Sequence, residues 1–213
     1  MSTEAAADVE RRRLSRTERL IAGRMVQSRQ TIPQFTVRRD VDMTAALAMR
    51  QGASVNDLVV RACALALRDQ PRLNATVDGD ELVQYRRVHV GVAVDADGLL
   101  VVPVLRDADQ GSLADLSAAS RALVARARAR ELTPADMDGA TFTVSNLGML
   151  GVDDFDAIVS PGQAAILAVG ALRGQPPRLA LRLTSDHRIV YGAQAARFLG
   201  RVAELLQAPA ELA

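Results

Sequence analysis

The sequence contains no lysine; all 26 of its basic residues are arginine. No group can therefore be carried on a lysine amine anywhere in the 213 residues. Tryptophan is also absent, and two tyrosines and four phenylalanines make up the aromatic content, which argues against a stacking platform for nucleic-acid bases. The single cysteine, Cys63, excludes an intrachain disulfide. It lies in the apolar helical run Val59-Val60-Arg61-Ala62-Cys63-Ala64-Leu65 and reads as a small core residue. A net charge of +1 is far from the strongly basic balance of a nucleic-acid-binding chain. No secretory leader and no apolar run of bilayer-spanning length is visible, so neither a nucleic-acid nor a membrane partner is expected, and the expected compartment is the cytoplasm. What the chain does have is apolar residues, 49% of the total, enough for a real core at this length. No Ser/Gly/Pro-rich linker divides it. The expected organisation is a disordered or arm-like segment over residues 1–11 and one domain over residues 12–213.

The run Arg11-Arg12-Arg13 reads as a solvated arm, or one packed on a neighbouring subunit, in preference to an anion site. Ser15 caps a helix through residue 30, with Leu20, Ile21, Met25 and Val26 as apolar positions. Residues 34–41 alternate as a strand with Phe35, Val37 and Val41 inward. A short helix follows over 43–50, and Ser54 caps a helix over 55–68 so apolar that it should be central and buried. A hairpin turns around Asp78-Gly79. His89 lies in an alternating stretch, opposite in face to Val88, Val90 and Val92, and is given a structural role. Asp95-Ala96-Asp97-Gly98 turns into a strand over 99–105; its carboxylates suit an Asp-Gly hairpin better than a metal site, and no metal is expected. Ser112 opens a helix to about residue 130, with Leu113, Leu116, Ala119, Leu123 and Ala127 at helical spacing. Thr133-Pro134 starts a short helix. Strands follow over 140–145, near 156–159, over 164–169 and over 179–184. Without regular βαβ alternation, the pattern points to an α/β or α+β sandwich.

The most chemical stretch is Asp186-His187-Arg188 with Gly192 five residues after the histidine. A strand signal before it and a helix signal over 193–199 place His187 where a strand ends and a turn begins. An imidazole, with an ordinary pKa of ~6.5, is the usual general base at neutral pH. Taken alone, a strand-end histidine is structural about as often as it is catalytic.

The surrounding blocks sharpen the reading. Asp186, His187, Arg188 and Gly192 resemble the C-terminal signature of the acyltransferase component of 2-oxoacid dehydrogenase complexes, shared with chloramphenicol acetyltransferase. Thr141-Phe142-Thr143-Val144-Ser145-Asn146-Leu147-Gly148-Met149-Leu150-Gly151 resembles that family's serine loop. Gln163-Ala164-Ala165-Ile166, Val90-Gly91-Val92-Ala93, Ile21-Ala22-Gly23-Arg24-Met25 and Ile32-Pro33-Gln34-Phe35 match in order, so the resemblance runs from about Arg12 to about Leu206. It implies a chloramphenicol-acetyltransferase-like fold: a two-layer α/β sandwich, a mixed sheet with helices packed on one side. It implies His187 as base and Ser145 as oxyanion donor, with Tyr191, Asp186, Gly192, Asn146 and Gln34 in support. It further implies Ser145, Gly148 and Pro161 as contacts for coenzyme A, acetyl-CoA as acyl donor, and a homotrimer whose site takes the histidine and the serine loop from different subunits. A Ser-His-Asp nucleophilic triad is set aside, because the family transfers directly and no nucleophile-elbow pattern is present.

Three departures qualify the match. Tyr191 stands where the pattern has Asp, a residue assigned an ion pair with an arginine. Gln34 stands where it has His, and the stretch 170–185 is short. Typical members also swing a lipoyl group on a lysine of a lipoyl domain; this chain has no such lysine, and neither a lipoyl nor a subunit-binding domain is expected. The favoured expectation is therefore a stand-alone enzyme acetylating a hydroxyl of a small tetronate-type, polyketide-derived acceptor. The alternatives are the catalytic core of a dihydrolipoamide acyltransferase and a non-catalytic scaffold subunit.

Overall fold

The computed structural model describes residues 9–96 and 98–213. Most of the expected N-terminal arm and Asp97 of the Asp-Gly turn lie outside the described residues.

The helices begin where short polar side chains can take the first free amides. Ser15 Oγ accepts from Glu18 N, and the Glu18 carboxylate accepts from Ser15 N, opening α1 (Arg16–Thr31). The same reciprocal box recurs with Ser54 and Asp57 before α3 (Val55–Asp69), and with Ser112 and Asp115 before α4 (Leu113–Arg128). Between the first two, Asp42 Oδ1 accepts from Thr44 N and opens the short α2 (Thr44–Met49). The last helix, α5 (Gly192–Gln207), runs two turns beyond the signal read from the sequence, because Val202, Ala203, Leu205 and Leu206 continue its buried face.

Among the described residues ten strands form three sheets. β1 (Gln34–Asp42), β4 (Val90–Val92), β7 (Val104–Leu105), β8 (Phe142–Asn146), β9 (Ala165–Val169) and β10 (Arg178–Asp186) make a six-stranded mixed sheet in the order β1-β10-β9-β8-β4-β7. β2 (Ala75–Asp78) with β3 (Glu81–Gln84), and β5 (Val94–Ala96) with β6 (Leu99–Val101), are separate hairpins. Asp95 Oδ1 accepts from Gly98 N in the second turn, the hairpin chemistry expected there.

Strand alternation divides the large sheet into two faces. Val37, Leu181, Leu183, Leu167, Phe142, Val144 and Val90 point to the helices, where they join α3 and α5 in one apolar core. Phe142 and Phe198 of α5 meet there, ring centroids 5.6 Å apart. Cys63 is fully buried in this core, and burial pushes its thiol pKa up. The opposite, outer face carries Arg38, Arg182, Thr184, Ala168 and Ser145. The expected two-layer α/β arrangement is the one observed. Among the described residues no helix is long and apolar enough to cross a membrane.

Four sequence expectations are corrected. The expected strand over 99–105 is two strands, because Pro103 cannot donate to a ladder and the chain changes sheet there. No strand forms near 156–159; that segment crosses the outer face, held by side chains instead of a ladder. Asp154 accepts from Arg182 and ion-pairs with Arg38, and Gln34 Oε1 accepts from Val159 N at 3.2 Å. The two arginines hold the Asp154 carboxyl below its ordinary value. In α1, Leu20 and Val26 are exposed (57% and 54%); Ile21, Met25 and Ser28 form its inner face. In α4, Ala119 faces solvent, while Ser117 turns inward and donates to the buried Asp57.

Candidate active site

His187 follows directly on β10. Its amide donates to the Pro33 carbonyl at 2.9 Å, and the amides of Ile189 and Val190 turn back onto the Asp186 carbonyl. These bonds fix a tight turn. Asp186 is 1% exposed, and its carboxylate is taken by the amide and guanidinium of Arg188. That pair raises the Arg188 pKa. Asp186 therefore shapes the turn without bonding the imidazole. The His187 ring lies 4.4 Å from Phe35 and 6.0 Å from Tyr191 between centroids, and its nitrogens bond no described residue. Tyr191 is the N-cap of α5, its amide donating to Gln194 Oε1. Gly192 is the first helical residue; a Cβ there would meet no atom of the chain, so nothing within one protomer requires glycine.

Ser145 lies near the end of β8 on the outer face, and its hydroxyl also bonds no described residue. The turn after it is tightly built. Asn146 Oδ1 accepts from Gly148 N at 2.9 Å, and its Nδ2 donates to Asn56 Oδ1 of α3 at 3.3 Å. A Cβ on Gly148 would stand 2.3 Å from the Gly170 carbonyl oxygen, and one on Gly170 only 1.9 Å from that of Asp153. The two glycines thus let three backbone segments stack against one another.

The residues expected to act together fall into two groups. Ser145 is level with Ala168 of β9, which is level with Arg182 of β10; Asp186 lies four residues further along. At ~3.3 Å per residue and ~4.8 Å per strand, Ser145 and the start of the His187 turn are on the order of 15 Å apart. Asn146 and Gly148 stay with Ser145. Pro161 lies in the turn before β9, towards the His187 end, where the Ala164 carbonyl accepts from Asp186 N; the three expected coenzyme contacts are not gathered in one chain. Gln34 shares a rung with Asp186, but its amide is spent on Ser28 and Val159, making it a tie between β1, α1 and the crossing segment. Three clefts of about 410, 420 and 380 Å³ lie elsewhere, and neither Ser145 nor His187 lines any of them. The sequence reading missed Asn56, the bond from Arg72 Nε to the Ile189 carbonyl, and the contact of Phe35 with the His187 ring. Asn56 adjoins the Ser54 cap, but nothing local reveals its partner.

The mixed sheet with helices on one face thus carries a strand-end histidine and, on its outer face, a serine, and neither side chain hydrogen-bonds a described residue. The chain belongs to the 2-oxoacid dehydrogenases acyltransferase (catalytic domain) family, whose model matches residues 6–213. The dihydrolipoyllysine-residue acetyltransferase component of pyruvate dehydrogenase complex from Zymomonas mobilis is 36% identical over 92% of this chain and 50% of its own length. That from Rhizobium meliloti is 38% identical over 89% and 48%. The chain thus spans about half the length of the curated relatives it matches. Among solved structures, the dihydrolipoamide acetyltransferase of Azotobacter vinelandii superposes with TM-score 0.91 at 33% identity, covering 97% of this chain and 95% of that one. In that enzyme a serine, a histidine and an asparagine four residues after the histidine were investigated for their catalytic role. The cubic core of the pyruvate dehydrogenase multienzyme complex gives TM-score 0.92 at 33% identity, covering 98% and 96%. Chloramphenicol acetyltransferase (TM-score 0.58, 15% identity, 86% and 94% covered) shares the fold alone.

Proposed function

We propose that this domain transfers an acetyl group between coenzyme A and a dihydrolipoyl thiol. The observation that carries the reading is the run of dihydrolipoyllysine-residue acetyltransferases matching 85–98% of the chain at 32–38% identity. The tetronate-type hydroxyl acceptor favoured from the sequence is less well supported than this alternative. A purely structural subunit fits poorly with a serine and a histidine that both keep their polar atoms free. Because the sequence has no lysine, the dihydrolipoyl group is supplied free or from outside these 213 residues. The cytoplasm stays the expected compartment, although relatives include mitochondrial and chloroplastic components.

The chemistry follows from the two free groups. His187 takes the proton from the attacking thiol as its sulfur bonds to the thioester carbonyl carbon. The carbonyl electrons move to oxygen, where the Ser145 hydroxyl donates a hydrogen bond. Collapse breaks the bond to the departing sulfur, which takes the proton back from the imidazolium. Positioned base catalysis contributes on the order of 10²–10⁴ in rate, and one oxyanion donor on the order of 10²–10³. Since the two groups lie apart in one chain, the reading requires that His187 of one copy face Ser145 of another, and a homotrimer is the assembly we propose.

The test compares dihydrolipoamide with a tetronate-type primary alcohol, each with acetyl-CoA at equal enzyme and donor concentrations. The expected result is a kcat/KM at least about tenfold higher for the dithiol, ~1.4 kcal/mol of differential transition-state binding. A preference for the alcohol would restore the small-molecule reading.

A further inference from the structure

The turn carrying His187 is fastened to the residue that precedes β1, through the Pro33 carbonyl. Besides Gln194 of α5, which accepts from the Tyr191 amide, one side chain from another element among the described residues hydrogen-bonds that turn. Arg72, in the 3-10 turn Pro71–Leu73 that follows α3, donates its Nε to the Ile189 carbonyl. Its guanidinium carbon lies 5.5 Å from the centroid of the Tyr191 ring, and that ring lies 6.0 Å from the His187 ring. Phe35 stands 4.4 Å from the same imidazole. In a chain with four phenylalanines and two tyrosines, two of the six aromatic rings flank the base.

Tyr191 is 49% exposed, and no protein hydrogen bond is made by its hydroxyl among the described residues. A half-exposed ring held only at its Cα would move among rotamers. A guanidinium against a tyrosine face is attracted by the ring quadrupole, and arginine's planar fork can serve that ring and a carbonyl together. The Azotobacter enzyme has an asparagine four residues after its histidine; here an aromatic ring stands four residues after His187, and a guanidinium from a separate element lies against it.

We propose that Arg72 is a positioning residue for the base. Acting through the Tyr191 ring and the Ile189 carbonyl, it sets the attitude of the His187 imidazole and touches no substrate. The proposal rests on the acyl-transfer reading, in which His187 is the base.

The experiment uses the whole chain with Arg72→Met, which keeps the aliphatic bulk, together with Arg72→Lys, Tyr191→Ala and the double variant Arg72→Met/Tyr191→Ala. The expected loss in kcat for Arg72→Met is on the order of tenfold, with KM for acetyl-CoA and the thermal midpoint near those of the parent. Arg72→Lys recovers part of it, because it keeps the charge and loses the fork. The double variant falls no lower than the worse single variant, as for two parts of one device. A second readout needs no turnover. With two histidines in the chain, 13Cε1-histidine NMR gives two signals; that of His187 should shift in Arg72→Met, and that of His89 should stay. An unmoved His187 signal overturns the proposal, as do an unaltered kcat, additive losses in the double variant, or a loss that follows the thermal midpoint. A parent that transfers no acyl group overturns the functional reading instead, and the NMR comparison then decides alone whether Arg72 positions the ring.

Discussion

His89 and His187 stand at the same end of the large sheet, three strands apart, and have opposite surroundings. His89 shares its rung with Asp186, one residue short of His187. It is 8% exposed, and its Nδ1 accepts from the Asp107 amide at 3.0 Å. That bond assigns the proton to Nε2 and keeps the ring neutral. Burial lowers the His89 pKa; Asp107 works against burial, while Arg87 and Arg106 work with it. His187 is exposed and, among the described residues, is tied only through its backbone amide and the rings beside it, with neither nitrogen hydrogen-bonded. A histidine whose acceptor nitrogen is engaged by a backbone amide stabilises structure. One whose backbone is fixed and whose nitrogens are free can move a proton. Neither residue type nor place in the sheet separates the two; the bonding of the ring does.

The sharpest way to break this comparison is to remove each ring in turn. His187→Ala should lower acyl transfer by on the order of 10²-fold or more with no change in thermal midpoint; near-normal turnover in the folded variant would remove it as the base. Ser145→Ala should cost on the order of 10²-fold. If base and donor come from different copies, co-refolding the two inactive variants in equal amounts should restore about a quarter of the parent activity, from the sites that pair one intact copy of each kind. A mixture as inactive as its parts would disprove the shared site.

His89→Ala should do the reverse. It leaves the Asp107 amide without its acceptor and opens space in the fold, costing about 1–3 kcal/mol of stability in urea titration, with kcat near that of the parent. The smallest effect is on pH. Since the folded pKa of His89 is lowered, the unfolded chain binds the extra proton first. Stability is therefore fully present above the unfolded value of ~6.5 and is lost as pH falls through the lower folded value. His89→Gln should flatten the dependence that begins as pH falls below about 6.5. An unchanged slope would assign it to other groups.

The legible parts of the fold are those settled within a few residues. The boxes at Ser15, Ser54 and Ser112 lie within one helical turn, so Ser/Thr followed three residues later by Asp or Glu is enough to read them. The strand alternation in β1 and β10 shows which residues face the helices. The segment near 156–159 resisted the same reading. It has strand-like residues, yet its backbone and carboxylates are satisfied by Gln34, Arg38 and Arg182 from strands distant in sequence. α1 resisted because its apolar residues do not all find a partner within the chain. Pro103 was visible, but that it would move the chain from one sheet to another was not.

The candidate site divides along the same line. The amino-acid sequence by itself determined that a histidine follows a strand, that a serine precedes a glycine turn, and that the chain offers no lysine to carry an acyl group. These are local or compositional facts. Only the tertiary structure decided that the Asp186 carboxylate serves Arg188 instead of the imidazole, that Asn56 orients the serine turn, and that Arg72 meets Tyr191. It also decided that Ser145 and His187 lie on the order of 15 Å apart, because a side chain's distance from another across a sheet depends on strand order and register. Neither is written within the few residues that form each strand.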